Sequence, residues 1–228
     1  MTGSRVPPRL VFVHTVSLTD LFNSLCRELL PADTQAWHVA DEILLRVVLA
    51  QGGLSPFIHE RVASHAVAAE QAGATAVQLT CSSISPCADT AQARVRIPVL
   101  KVDEPMVNRA LELGAHIGVV ATAPTALRPT SDLIRARARA LGKDVQVEAR
   151  LAEGAYQALS GGDPQRHDAI VRETLQDLSR RNDVILLAQA SMARVADSLP
   201  KGALPCPVLT SPRLAVERAA HVLAEAAA

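Results

Sequence analysis

The stretch at residues 74–86, ATAVQLTCSSISP, is an apolar run that ends at Cys81 and continues into a serine-rich turn. The run is typical of a buried strand, and the Ser85-Pro86 pair beyond it is typical of a helix start. The thiolate is the reactive form of a cysteine, and the unpaired N–H groups of a helix N-terminus favour it. The stretch therefore predicts a strand that holds a reactive thiol in a polar turn, with plain packing of a buried cysteine as the alternative.

Predicted strands and helices alternate on both sides of this stretch, which indicates βα units on a largely parallel sheet. We predict strands at residues 10–14, 35–39, 74–81, 97–102, 116–121, 145–151, 184–188 and 207–210. We predict helices at residues 17–30, 41–50, 56–72, 105–113, 132–141, 167–181 and 212–227.

The two halves of the chain resemble each other at a nearly constant offset. VFVHT (11–15) lies over GVVAT (118–122) at an offset of 107, and VQLTCSSIS (77–85) lies over ILLAQASMA (185–193) at 108. IPVLKVDEPMVNRAL (97–111) lies over CPVLTSPRLAVERAA (206–220) at 109. We predict an α/β fold of two pseudo-symmetric, Rossmann-like or flavodoxin-like lobes with parallel sheets. The first lobe comprises residues 1–104 plus 211–228, and the second comprises residues 105–210; chance similarity between buried strands is the alternative.

Polar turns follow four of the predicted strands. Ligands of parallel α/β sheets bind outside the carboxyl ends of the strands, so two facing lobes would form an active-site cleft between them. Small, hydroxyl-bearing turns rich in backbone donors suit a small carboxylate better than a bulky apolar ligand. The residues that would line this cleft are His14, Thr15, Cys81, Ser82, Ser83, Thr122, Thr125, Gln189, Ala190 and Ser191.

Charge and composition argue against several kinds of partner. The 228 residues carry 23 basic and 23 acidic side chains, so no overall field favours nucleic acid or a membrane surface. No apolar run approaches a membrane span and the first residues show no signal-peptide pattern, so we expect a cytoplasmic protein. The four cysteines form no zinc-binding pattern and are expected as reduced thiols, of which Cys26, Cys87 and Cys206 are structural. The sequence leaves the oligomeric state open, including a homo-oligomer.

The order and spacing of these blocks over residues 10–223 resemble the aspartate/glutamate/hydantoin racemase superfamily. The resemblance implies two similar lobes, each with a strand-end cysteine, and chemistry that needs no metal or cofactor. One thiolate removes a proton from the carbon next to a carboxylate, and the opposite thiol returns a proton to the other face. Cys81 matches the first cysteine position, whereas the second position holds Gln189, which the internal offset of 108 also pairs with Cys81.

This departure leaves three functions open. A glutamine has no acid or base of thiol-like strength, so racemisation by two thiols is disabled. The first alternative is an isomerase or racemase-family enzyme with Cys81 as its one catalytic thiol. The second is a lyase that decarboxylates a malonate-like acid, as arylmalonate decarboxylase does with one cysteine, although that cysteine lies on the second lobe. The third is a catalytically silent carboxylate-binding protein.

The resemblance also suggests roles for the other residues of the predicted cleft. His14 matches a position that is acidic in glutamate racemase, so it is a candidate second acid or base, with a structural histidine as the alternative. Gln189 would orient a substrate carboxylate, and the remaining turn residues would help to bind it. The alternative for these residues is that they are ordinary turn and cap residues without a role in binding. Maleate isomerase, whose cysteine attacks an alkene, keeps both cysteines. The substrate therefore stays open, as does the choice among racemisation, cis–trans isomerisation and decarboxylation.

Overall fold

The computed structural model of the protein describes residues 7–226, which form two compact units. The first unit contains the chain up to Thr80, the segment Ile84–Val102 and the chain from Pro212 on. The second unit contains Cys81–Ser83 and Asp103–Ser211. The predicted lobe 1–104 plus 211–228 includes residues 1–6 and 227–228, which lie outside the described residues.

Strands and helices alternate along the described chain. The strands are β1 (Arg9–His14), β2 (Gln35–Ala40), β3 (Ala76–Leu79), β4 (Val99–Leu100), β5 (His116–Ala121), β6 (Gln146–Leu151), β7 (Val184–Leu187) and β8 (Val208–Thr210). The helices are α1 (Thr19–Leu29), α2 (Glu42–Gln51), α3 (Pro56–Gln71), α4 (Cys87–Gln92), α5 (Glu104–Leu113), α6 (Pro124–Ala140), α7 (Ala155–Ser160), α8 (Pro164–Leu178), α9 (Ala193–Asp197) and α10 (Ser211–Glu225). None of the helices within residues 7–226 is both long and apolar enough to cross a membrane.

The first unit is built on a parallel sheet with the strand order β2-β1-β3-β4. Its two central strands are buried on both faces, which explains why Leu10–Val13 and most of β3 are apolar and do not alternate; the exception in β3 is the buried Gln78. Helices α1 and α10 cover one face of this sheet. Their core includes Leu10, Phe12, Phe22, Ala76, Val102, Ala215, Val216, Ala219, Val222 and Leu223.

The second unit repeats this plan with the strand order β6-β5-β7-β8, again all parallel. Its core includes Val120, Ala152, Ala155, Val171, Leu175, Leu178, Ile185, Leu187, Met192 and Val195. Each strand of the second sheet takes the place of the strand four earlier in the chain, so the internal repeat seen in the sequence is a repeat of topology. The predicted α/β fold with two parallel sheets is confirmed.

The largest difference from the sequence prediction is helix α6, which starts at Pro124 and not at residue 132. Proline lacks a backbone N–H and normally interrupts a helix, so Pro129 argued for a later start. The helix instead begins with Pro124 in its first turn, where the missing N–H is harmless, and it accommodates Pro129 by giving up one backbone hydrogen bond to the Thr125 carbonyl.

Smaller differences concern strand lengths and short helices. Strand β3 ends at Leu79, two residues before Cys81, and β4 has only two residues. Helix α8 starts at Pro164, because Asp163 caps it by accepting a hydrogen bond from the Arg166 N–H at 2.9 Å. Helices α7 and α9, with six and five residues, were not predicted, because so few residues carry no helical periodicity.

Candidate active site

Cys81 lies in the turn that follows β3 and has a free, half-buried thiol. Ser82 and Ser83 beside it are buried, and the Ser83 hydroxyl donates a hydrogen bond to Thr125 Oγ1 at 3.3 Å. The structure therefore brings the cysteine turn and the first turn of α6 together within the second unit. Helix α4 begins only at Cys87, so five residues separate the thiol from the start of that helix.

Gln189 stands two residues after β7, as Cys81 stands two residues after β3. Its side-chain oxygen Oε1 accepts three hydrogen bonds: from the Thr122 N–H at 2.6 Å, the Thr122 hydroxyl at 2.9 Å and the Ala123 N–H at 3.2 Å. Two of these donors are backbone amides, so only the oxygen end of the amide can face them. The Nε2 end of Gln189 makes no hydrogen bond within residues 7–226 and stays available as a donor.

The segment after Gln189 is anchored to helix α8. Ala190 and Ser191 are half-buried in a short 3₁₀ turn that leads into α9. In α9, Arg194 Nη2 donates to Asp168 Oδ1 at 2.7 Å, and the same oxygen lies 2.7 Å from His167 Nδ1. Sequence analysis missed these anchors, because no local pattern links a residue of α8 to one 26 positions later.

His14 is fully buried at the end of β1 in the first unit, and both of its ring nitrogens are engaged. Nδ1 lies 2.9 Å from the Thr80 hydroxyl, and Nε2 lies 2.9 Å from His38 Nδ1. His38 Nε2 in turn lies 3.0 Å from Asn23 Oδ1. Burial, with a smaller contribution from the neighbouring His38, lowers the pKa of His14 to about 4. Burial also lowers the pKa of His38.

His14 is therefore neutral at neutral pH, and neither ring nitrogen is free to meet a substrate directly. It connects to the cysteine turn through Thr80, the residue that precedes Cys81. Thr15, which follows His14, is also buried. The sequence did not identify His38 and Asn23 as partners of His14. A signal for His38 was available, because β1 and β2 are neighbouring parallel strands whose ends lie at one edge of the sheet.

A second polar group at this edge was also missed. Asp41 follows β2, and its N–H donates to the His14 carbonyl oxygen at 2.9 Å. Its Oδ2 accepts from Arg61 Nε at 2.5 Å and lies 2.7 Å from His65 Nε2, while Oδ1 accepts from the Ile43 N–H at 3.2 Å. Burial raises the pKa of Asp41, but the hydrogen bonds and charges of Arg61 and His65 outweigh this effect and hold the pKa below its usual value.

The other three cysteines are buried, as expected for structural thiols. Burial raises the pKa of Cys26 to about 11 and that of Cys87 to about 12, and burial with the nearby Asp183 charge raises that of Cys206. These thiols stay protonated at neutral pH. Within residues 7–226, no group of three or more His, Cys, Asp or Glu side chains could hold a metal ion.

The comparisons with known proteins agree with this architecture. The chain resembles glutamate racemase from Francisella tularensis in complex with D-glutamate, with 14% identity, a TM-score of 0.70, and coverage of 96% of this chain and 82% of that one. It resembles allantoin racemase from Pseudomonas fluorescens with 18% identity, a TM-score of 0.65, and coverage of 95% and 91%. It resembles a variant of arylmalonate decarboxylase with 15% identity, a TM-score of 0.60, and coverage of 95% and 94%. At these identities the likeness shows the fold.

The sequence itself gives the family. No curated protein matches the chain. The family model described as Asp/Glu/hydantoin racemase matches residues 15–219 of the 228 residues, which confirms the resemblance found in the sequence. The chain therefore belongs to the Asp/Glu/hydantoin racemase family.

Proposed function

We propose that the protein is a cofactor-independent isomerase of this family that moves a proton at the carbon next to the carboxylate of a small acid, with Cys81 as its one catalytic thiol. The observation that carries the proposal is the pair of equivalent strand-end positions. One holds a free, half-buried thiol, and the other holds a glutamine whose oxygen is fixed by three donors.

The chemistry assigns a different task to each position. The Cys81 thiolate takes a proton from the α-carbon, which leaves a planar, enolate-like anion. The anion turns over within the site, and the resulting thiol returns a proton to its other face; return to the first face gives exchange with retention. Gln189 neither gives nor takes a proton, but its Nε2 group donates a hydrogen bond to an oxygen of the anion. The hydroxyls of Ser82, Thr125 and Ser191, with the backbone at Ala190, contribute to carboxylate binding. Ser83 and Thr122 instead position these groups, because their hydroxyl protons are already donated to Thr125 and Gln189.

His14 supports this site as a positioning residue. Its engaged ring nitrogens hold Thr80, and thereby the start of the cysteine turn, in place. A direct acid or base role would require one of these hydrogen bonds to break.

Decarboxylation is the second candidate, and the same asymmetry favours it. The bond from the α-carbon to one carboxyl group of a malonate-like acid breaks, carbon dioxide leaves, and the electron pair stays on carbon as an enolate. The Cys81 thiol protonates this carbon, and water returns a proton to the thiolate. Only one protonating group is needed, which fits a site with one thiol.

The deciding experiment measures solvent deuterium at the α-carbon by NMR and carbon dioxide release for amino acids, hydantoins, substituted malonates and unsaturated diacids. We expect Cys81→Ala to lower turnover at least about 100-fold, as loss of a general acid–base group does. Cys26→Ala is the matched control, because that thiol is buried in the core and stays protonated. Full activity of Cys81→Ala would refute the catalytic role, and ligand binding without any conversion would favour the silent binding protein.

Two substitutions of Gln189 test the second position. Gln189→Glu keeps an oxygen for the Thr122 and Ala123 donors but replaces the Nε2 donor with negative charge, so we expect a higher KM for acids at unchanged stability. Gln189→Cys supplies a second thiol, and we expect it to increase inversion at the α-carbon relative to exchange with retention. Unchanged KM in the first variant would argue for a purely structural glutamine.

A further inference from the structure

We propose that Arg61 binds the carboxylate of an acid that carries an apolar substituent, and that Phe57 packs against this substituent; both residues lie in the first unit. The ligand class of this site is alkyl- or aryl-substituted carboxylic acids.

The guanidinium of Arg61 is held at one end and open at the other. Nε donates to Asp41 Oδ2 at 2.5 Å, and the guanidinium carbon lies 5.9 Å from the centre of the Phe57 ring. The side chain is 36% exposed, and its terminal nitrogens Nη1 and Nη2 make no hydrogen bond within the described part of the chain. A guanidinium oriented in this way presents two parallel N–H groups, the geometry that pairs with a carboxylate.

The charge of Asp41 does not block an approaching anion. Its side chain is only 5% exposed, and both oxygens already accept hydrogen bonds, from the Ile43 N–H on one side and from Arg61 and His65 on the other. An anion in solvent therefore meets the half-exposed guanidinium before the buried carboxylate. Asp41 acts as the anchor that orients Arg61.

This group stands at the edge of the sheet where ligands bind. Asp41 directly follows β2, and its N–H is bonded to the carbonyl of His14, the last residue of β1. The carboxyl ends of neighbouring parallel strands are the usual ligand-binding edge of an α/β sheet. Arg61 is therefore tied to that edge and not to an arbitrary part of the surface.

One exposed apolar side chain contacts Arg61, and two more follow the ends of β1 and β2 in the sequence. Phe57 is 50% exposed and contacts Arg61, and Ile43 is 48% exposed and follows Asp41 by two residues. Val16, 43% exposed, lies two residues beyond His14. These are three of the six large apolar side chains exposed in residues 7–226. Apolar surface with a single fixed polar group suits a ligand with an apolar body and one carboxylate.

Calorimetric titration tests this assignment with three probes: phenylacetate, its neutral analogue phenylacetamide, and acetate. All variants carry Cys81→Ala, so that no turnover disturbs the titration. We expect Arg61→Gln to weaken phenylacetate binding at least about tenfold, as loss of charged hydrogen bonds does, and to leave phenylacetamide unchanged. We expect Phe57→Ala to weaken both aromatic probes and not acetate. Arg46→Gln, which removes an exposed arginine of α2 paired with Glu42, is the matched control and should leave the affinities for all three probes unchanged.

A structural role alone would give a different pattern. Equal weakening of phenylacetate and phenylacetamide in Arg61→Gln would overturn the proposal, and so would a lack of phenylacetate binding by the protein that carries Cys81→Ala alone. Should Arg61→Gln fail to fold, Arg61→Lys keeps a cation beside Asp41. Loss of phenylacetate binding without loss of phenylacetamide binding in this variant would still support a carboxylate held by the two guanidinium N–H groups. Deuterium exchange that does not depend on Cys81 would refute the proposed function while leaving the assignment of Arg61 intact.

Discussion

Replacing His14 with asparagine should make the stability of the protein less dependent on pH between about 4 and 6.5. In the folded protein, burial and His38 lower the pKa of His14 from 6.5 to about 4. Between these two values the unfolded chain binds a proton that the folded protein does not bind. Stability is therefore complete above about pH 6.5 and falls as the pH drops towards 4.

The difference between 6.5 and about 4, at about 1.36 kcal/mol per pH unit, sets an upper bound of about 3 kcal/mol for this loss. Because a comparison of pH 7 with pH 4.5 covers only part of the interval between the two pKa values, the expected value is about 2 kcal/mol. The lowered pKa of Asp41 acts at more acidic pH, below 3.8, and does not enter this window.

Urea unfolding of the wild type and His14→Asn at pH 4.5 and pH 7 measures the effect. The variant loses ring hydrogen bonds and should be less stable at pH 7, but its loss of stability on going to pH 4.5 should be about 2 kcal/mol smaller than that of the wild type. His221→Asn, at an exposed histidine of α10, is the control and should keep the wild-type dependence. An unchanged pH dependence in His14→Asn would refute a buried, neutral histidine at this position.

Two further substitutions test the packing of each unit by urea unfolding. Pro129→Ala supplies an N–H to the Thr125 carbonyl within α6 and should raise the unfolding free energy by about 1 kcal/mol; a decrease would mean that this carbonyl has a better partner elsewhere. Phe12→Ala removes a fully buried ring whose centre lies 5.0 Å from the centre of the Phe22 ring and 5.2 Å from that of the His38 ring. This change should lower the unfolding free energy by about 3–5 kcal/mol. Trp37→Ala, at a 41% exposed position, is its control, and an equal loss there would contradict the assignment of the core.

Strands β1, β5 and β7 were predictable because the parallel sheets bury them on both faces, which leaves a mostly apolar run in the sequence. His116–Ala121 is found at its predicted bounds for this reason. The equivalence of Cys81 and Gln189 was also predictable, since a duplicated topology repeats at a nearly constant offset. Helix α6 shows where such patterns fail: the sequence does not reveal that a helix tolerates Pro129 when it has already started at Pro124.

The side-chain partners could not be predicted from the sequence. Gln189 and Thr122 are 67 residues apart, His14 and His38 are 24 apart, and Arg61 and Asp41 are 20 apart. Each pairing depends on strand register and on the rotation of a helix about its axis, and neither quantity leaves a periodic pattern. The sequence therefore identified the turns of the candidate site and missed the groups that anchor them.

Helix α10, the last helix within residues 7–226, completes the first unit. Ala215, Val216, Ala219, Val222 and Leu223 cover the same core as Leu10 and Phe12. On the ribosome, residues 103–210 are therefore translated between the first sheet and the helix that covers it. Throughout that interval α1 alone covers this face of the core, so the sheet that is made first is finished last.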